Sequence, residues 1–489
     1  MILLGKDCIV MKNLNIGMHS GNITPPANVK LSGQFYTRVS THVECPLSAN
    51  VIAINSEGEQ LVICSCDLTS IDETLTTRVR EAVHRQRAEI DTRKIILSAT
   101  HTHTAPMYVS RQFGLDVANS FMPSGKKHIE LEDIPEGTWS EEKCFNFLVD
   151  TITSAIIQAW DNRKPACISQ SFGRAVTGHC RRAVYNDKSA LMYGSTHTVN
   201  FDCLEGGSDT GVELLYIFDT NKTPMGVLVN TSCPSQVEEH CRYISSDYWG
   251  RVRETIHDTL GNEFVVVGLC SAAGDQSPRD LIRNKYKTEQ AIYLDPNMHE
   301  KEGAIELGRR ISSVIIDKIQ SAKENIFDNS ELIHEVRMVD FPLRRVESKE
   351  YLTMKEAFYQ YVEEKIKDTY TWQDYQRLHL YAGTLKRYQD QENTMFYTAE
   401  IHVIRLGNVA ITSNPFELFL DYGNRIRANS KAQQTFMIQL ACASGGYLPT
   451  EKAEKGGHYS AYVASGKTGH EGGELLVRYI LEMINAMWP

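Results

Sequence analysis

Four short stretches, far apart along the chain, carry side chains able to hold a metal ion or move a proton. They are Thr100-His101-Thr102-His103, Gly274-Asp275-Gln276-Ser277-Pro278, Asn414-Pro415-Phe416-Glu417, and the segment running from Tyr447 to Tyr459. His101 and His103 alternate in a strand-like stretch, so their rings are expected on opposite faces, one as a ligand and the other in a supporting or proton-carrying place. Ser277 sits on a corner made by Gly274 and Pro278, where its hydroxyl can be a nucleophile, a hydrogen-bond donor to substrate, or a turn-stabilising group. No Gly-x-Ser-x-Gly elbow accompanies it, so no serine triad is inferred. Glu417 reads as the opening of a helix, where a carboxylate suits the helix dipole as well as a metal. Tyr447 and Tyr459 flank a glycine- and lysine-rich stretch without apolar periodicity, which sets them apart from ordinary core rings.

These residues need elements to deliver them, and the hydrophobic pattern supplies a recurring one. Strands over 49–54 and 60–66 lead to a helix, capped by Thr69 or Ser70, with Leu75, Val79 and Val83 on one face. A buried strand over 94–99 then ends at His101. The same grammar follows at 225–229, a helix from Asp247 with Val252, Ile256 and Leu260 on one face, and a strand over 264–269 that runs into the Ser277 corner. Near the C-terminus a hairpin, 402–406 and 409–412 around Gly407-Asn408, leads to Glu417 and a helix through Arg427. α/β proteins place ligand-binding groups at such strand ends. Two polar segments look inserted, a loop at 114–141 and a helical pair at 347–392, which either packs on the core or roofs the site.

Composition narrows the partners. The 489 residues are 42% hydrophobic and 23% charged, and the net charge is -10, which disfavours a nucleic-acid surface. No window approaches a membrane span. The apolar run Ile2–Leu4 is too brief for a signal peptide, and the twelve cysteines are scattered, several in apolar strands. A cytoplasmic, reducing setting is expected, and a periplasmic or secreted one only for a chain whose leader has been removed.

The motifs, taken in order, resemble those of the neutral ceramidases. Ser98-Ala99-Thr100-His101-Thr102-His103-Thr104-Ala105-Pro106 is similar to the family's Thr-His-Thr-His-Ser-Gly-Pro, and Gly274-Asp275-Gln276-Ser277-Pro278 to its Gly-Asp-x-Ser-Pro box. Asn414-Pro415-Phe416-Glu417 resembles the Pro-Gly-Glu segment, and Tyr447-Leu448-Pro449-Thr450 with Tyr459 resembles the Tyr-x-Thr-Thr...Tyr-Glu-Gly segment. Gly21-Asn22-Ile23-Thr24-Pro25 and Ser65-Cys66-Asp67 fit as well. The resemblance implies an α/β catalytic domain of mixed sheets with flanking helices over residues 12–489, lacking the family's C-terminal β-sandwich. It implies one zinc ion held by His101, Glu417 and Tyr447, with His103 as a proton-transfer group, Ser277 and Tyr459 in the substrate cleft, and Arg181 or Arg182 as the anion-stabilising arginine.

One departure stands out. Where the family has a second zinc histidine in His-Pro-Thr, this chain reads Ser232-Cys233-Pro234-Ser235-Gln236. His240 is the first substitute, with Gln236, Glu238 and Glu239 as others. The resemblance then implies a zinc-dependent amidase that activates water against a linear amide. A soluble N-acyl compound is expected rather than ceramide, since no interfacial helix is visible. Two other readings stay open: a small-molecule-binding protein that has lost catalysis, and a metal-free serine hydrolase using Ser277.

Overall fold

The computed structural model describes residues 14–109, 115–124, 134–283, 298–327, 331–365 and 371–488. Its centre is an eight-stranded mixed sheet built from β1 (Leu14–Asn22), β2 (Ser48–Ser56), β3 (Glu59–Cys66), β4 (Ile95–Ala99), β5 (Lys164–Arg174), β6 (Gly211–Asp219), β7 (Pro224–Thr231) and β8 (Val265–Cys270), in the order β8-β7-β6-β5-β1-β2-β3-β4. A second sheet contains β9 (Leu332–Pro342), β10 (Phe396–Leu406), β11 (Val409–Ser413) and, beyond a three-residue β12 (Phe416–Leu418), β13 (Gln434–Ile438). β14 (Gly446–Leu448) pairs with β12.

Period-two alternation sorts the side chains of the large sheet. Ile52, Ile54, Leu215 and Ile217 face the second sheet, which answers with Ile404, Ile411, Phe436 and Ile438. Their neighbours Val51, Ala53, Leu214 and Tyr216 face helices instead. Those helices are α1 (Glu73–Gln86) and α3 (Glu141–Asp161) over one half, and α4 (Asp247–Leu260) and α5 (Lys301–Glu324) over the other. The outer face of the second sheet is covered by α8 (Leu420–Asn429) and α9 (His470–Met487). The layers run helix, sheet, sheet, helix.

The recurring strand-helix-strand grammar is present three times. β3-α1-β4, β7-α4-β8 and β11-α8-β13 each join a parallel pair through a helix, so the carboxyl ends of each pair point the same way. Asn230 at the end of β7 locks the two sheets together: its side-chain N–H donates to Leu269 O and Met437 O at 3.1 and 2.7 Å, and its oxygen accepts from Met437 N at 3.0 Å. The first helix starts later than Thr69 or Ser70 would set, because Asp72 accepts the Thr74 N–H as its cap.

The two polar segments meet each other. α2 (Leu115–Ser120) packs against α6 (Ser348–Lys365) and α7 (Trp372–Asp390) around a core of Ala118, Phe358, Tyr361, Val362, Leu378, Ala382 and Leu385. α7 lies over the carboxyl ends of the strands and lines the cleft described next.

Candidate active site

β4 ends at Ala99, and the chain leaves strand geometry before the histidines. His101 takes a left-handed φ of 71°, which breaks the alternation expected for His101 and His103 and turns both rings to one side. The rings meet edge to face with centroids 4.8 Å apart, and their Nε2 atoms are 3.4 Å apart. The end of the strand is braced from below: Thr100 donates its hydroxyl to Asp67, which also takes the Ser48 N–H and the Arg253 guanidinium.

The orientation of His101 follows from its neighbours. Its Nδ1 lies 2.5 Å from Thr69 O, and a carbonyl only accepts, so Nδ1 carries a proton and Nε2 is the ring nitrogen left to face the site. That nitrogen lies 3.3 Å from a carboxylate oxygen of Glu417. Glu417 is not in the first turn of a helix, as the sequence suggests, but in β12, where the parallel ladder pairs it directly with Tyr447 of β14. Burial alone would raise the Glu417 carboxyl, yet His101 and Arg181 beside it hold it below its ordinary value. Burial and the adjacent Glu417 push the Tyr447 phenol well up, so its proton stays on and bonds Glu417.

His103 is oriented by a chain of hydrogen bonds. Arg181 donates to Gln236 Oε1 at 3.1 Å, and because arginine has only donors the other end of that amide must be its NH₂, which donates to His103 Nε2 at 3.1 Å. His103 Nδ1 is buried without a hydrogen-bond partner and points towards Glu239, 3.6 Å away. Burial, followed by His101 and the arginines Arg38 and Arg181, holds this imidazole well below its ordinary pKa, hence neutral. Its backbone is bolted by the buried Arg38, which donates to His103 O and Ser32 O. Gly33, at φ +98°, lies so close that a Cβ there would sit 2.5 Å from the His103 ring.

His101, His103, Glu417, Tyr447 and Tyr459 all line one cleft of about 570 Å³. Tyr459 stands edge-on to Tyr447 with centroids 5.4 Å apart. Arg181 is not part of that wall; it lies behind it, donating to Tyr447 Oη at 3.2 Å and Gly274 O at 2.8 Å. Arg182 serves elsewhere, paired with Glu205 and bonded to carbonyls of 453–459. Ser277 is also behind the wall, buried, with its oxygen accepting from Tyr193 Oη and Arg279 N, both at 3.2 Å; no hydrogen bond joins it to His103 among the described residues.

The structure does not bring His240 to this group. Its side chain is 49% exposed, its ring stacks on His299, and with Glu239 the two form an outer His-His-Glu group beside Arg279. The buried Glu400-His402-Cys442 group is a second compact set, engaged by Arg80. At the site itself the donors fit a metal ion. A ligand shell with bonds of ~2.0–2.1 Å sets tetrahedral neighbours ~3.3 Å apart, which is the His101–Glu417 separation.

Gln236, Glu239, Arg38, Tyr193 and the Thr69 carbonyl carry much of this geometry. Gln236 and Glu239 appear in sequence only as stand-ins for a ligand; Arg38, Tyr193 and Thr69 leave no periodic or motif signal, because their partners lie distant in sequence.

No family model matches the chain, and no curated protein matches it. Among solved structures, neutral ceramidase from Pseudomonas aeruginosa matches with a TM-score of 0.67 and 17% identity, over 97% of this chain and 74% of that one. A ceramidase complexed with C2 gives a TM-score of 0.67 at 17% identity, over 97% and 75%. The mixed α/β fold is that of the neutral ceramidases; at this identity the likeness speaks for the fold alone.

Proposed function

We propose that this chain is a metal-dependent hydrolase of the amide bond in an N-acyl compound. The observation that carries the reading is His101, its Nδ1 pinned on Thr69 O, aiming Nε2 at the Glu417 carboxylate across 3.3 Å. A buried carboxylate calls for a positive charge beside it, and an ion held between these two groups would supply one.

His101, Glu417 and Tyr447 are the residues to hold the ion, and three protein donors leave a position open, as catalytic zinc sites do. A bound divalent ion would polarise the scissile carbonyl and ease deprotonation of water. His103, neutral and aligned by Gln236, would take up the proton released as water attacks and return it to the departing amine. The Tyr459 hydroxyl, in the cleft wall beside Tyr447, would donate to the developing oxyanion. Arg181 would act through Tyr447 and Gln236 rather than on substrate, since it stands behind the wall. Burial of Ser277 and its bonds to Tyr193 and Arg279 speak against a serine nucleophile. The ceramidase fold adds support, because the same kind of core carries amide hydrolysis in those enzymes.

The test is elemental analysis of the purified protein together with hydrolysis of a panel of N-acyl compounds, before and after chelator. Bound metal, turnover lost on chelation and turnover restored by zinc are expected. Turnover indifferent to chelator would overturn the reading, and tight ligand binding without turnover in the metal-loaded protein would favour a binding protein on this fold.

A further inference from the structure

The roof of the cleft has a chemistry of its own. His379, Gly383, Lys386, Arg387 and Asp390 all line it, at spacings i, i+4, i+7, i+8 and i+11, so a single face of α7 looks into the site. That face is polar. Among the described residues that line the cleft, the aliphatic side chains are Val117, Leu440 and Ala464, too little to bury a long acyl chain.

The charges on this face are not equivalent. Lys386 is neutralised one turn away by Asp390 at 2.5 Å. Arg387 bonds only neutral carbonyls, those of Gly466 at 2.8 Å, Lys467 at 3.1 Å and Arg344 at 3.2 Å, and has no carboxylate partner among the described residues. Its guanidinium is therefore held by neutral acceptors, and Asp390 acts on its charge without a direct ion pair. It stands where the cleft opens into an adjoining bay of about 610 Å³ that it also lines. Two turns earlier on the same helix, His379 Nδ1 is buried with no hydrogen-bond partner, an orphan polar atom in the same wall.

Resting on the amide-hydrolase reading above, we propose that α7 selects small N-acyl substrates bearing a carboxylate, with Arg387 as the counter-charge and His379 as a hydrogen-bond partner, over long-chain lipid amides. Guanidinium is the side chain best matched to a carboxylate, and a site with an unpaired buried polar atom rejects ligands that leave it unpaired.

The experiment separates this inference from the hydrolase reading by measuring binding rather than turnover. N-acetylglycine and N-acetylglycinamide differ only in the charge; their dissociation constants are measured by ligand-observed NMR on the metal-loaded protein, alongside a long-chain N-acylethanolamine. The acid is expected to bind about tenfold tighter than the amide, with Arg387→Gln bringing the two to parity. Asp390→Asn leaves the Arg387 bonds intact while removing one of the two roof carboxylates that line the cleft, the other being Asp116, and should tighten the acid about two- to threefold. Equal binding of acid and amide, preference for the lipid amide, or an unmoved acid affinity in Asp390→Asn would overturn the proposal even if Arg387→Gln failed to fold. Hydrolysis with no charge preference would sink this inference alone, and charge-selective binding without hydrolysis would sink only the catalytic reading.

Discussion

The floor and the roof of the cleft are built on different principles. The floor is made at the carboxyl ends of three strand-helix-strand units, and each side chain there answers to several buried partners: His101 to Thr69 and Glu417, His103 to Gln236, and Tyr447 to Arg181. The roof is a small satellite core of three helices, and its cleft face meets the floor chiefly through side chains such as Arg387 bonded to loop carbonyls. Over-determined geometry suits groups that must not move during chemistry, whereas a separately cored layer can vary its lining without disturbing them. On the function proposed above, chemistry belongs to the floor and selection to the roof.

The largest expected effect tests that division directly. His101→Ala should remove bound metal and turnover together while the thermal unfolding transition stays cooperative; retained metal would place the ion elsewhere, for instance at the outer Glu239-His240-His299 group. Next, Phe358→Ala in the roof core should cost about 3–5 kcal/mol locally. It should raise KM and expose 347–392 to protease without changing metal content, and a matching loss of metal would show that floor and roof are one unit.

A smaller effect sharpens the floor. Glu239→Gln weakens the carboxylate that faces His103 and anchors Arg279, and a loss in kcat of about 10–100-fold is expected, with KM little changed. Last, acid should loosen the molecule modestly. Burial depresses His334 well below its ordinary pKa and brings His458 down to about 4, so the folded state prefers both rings neutral. Their contribution is complete above the unfolded value of about 6.5 and is lost as pH falls from there towards the folded values. The unfolding midpoint should thus drop between pH 7 and pH 5, and a flat profile over that window would contradict it.

Much of this was legible in the chain. Two of the three strand-helix-strand units were readable because burial on both faces of parallel strands and on one face of the helices imposes dense apolar periodicity; Leu75, Val79 and Val83 are buried as their spacing predicts. The third was read as a hairpin and a helix, without its closing strand β13. The helical pair at 347–392 was readable too, and its place over the cleft was one of two readings. Glu417 was misread as a helix start because β12 is three residues long, too short to show a period, and its partner strand lies thirty residues on. The two histidines were misread as facing apart because nothing local marks the left-handed φ at His101. His240, a natural substitute by spacing alone, turns outward onto His299.

The amino-acid sequence by itself determined the fold class, the strand ends that bear chemistry and the residue types gathered there, since periodicity and turn residues act over a few positions. Tertiary structure alone decided which nitrogen of His101 faces the site, that Gln236 steers His103, that Arg181 stands behind the wall while Arg182 serves elsewhere, and that α7 supplies the ceiling. Those outcomes depend on hydrogen-bond partners dozens to hundreds of residues distant, and no local pattern encodes the direction from which such a partner arrives.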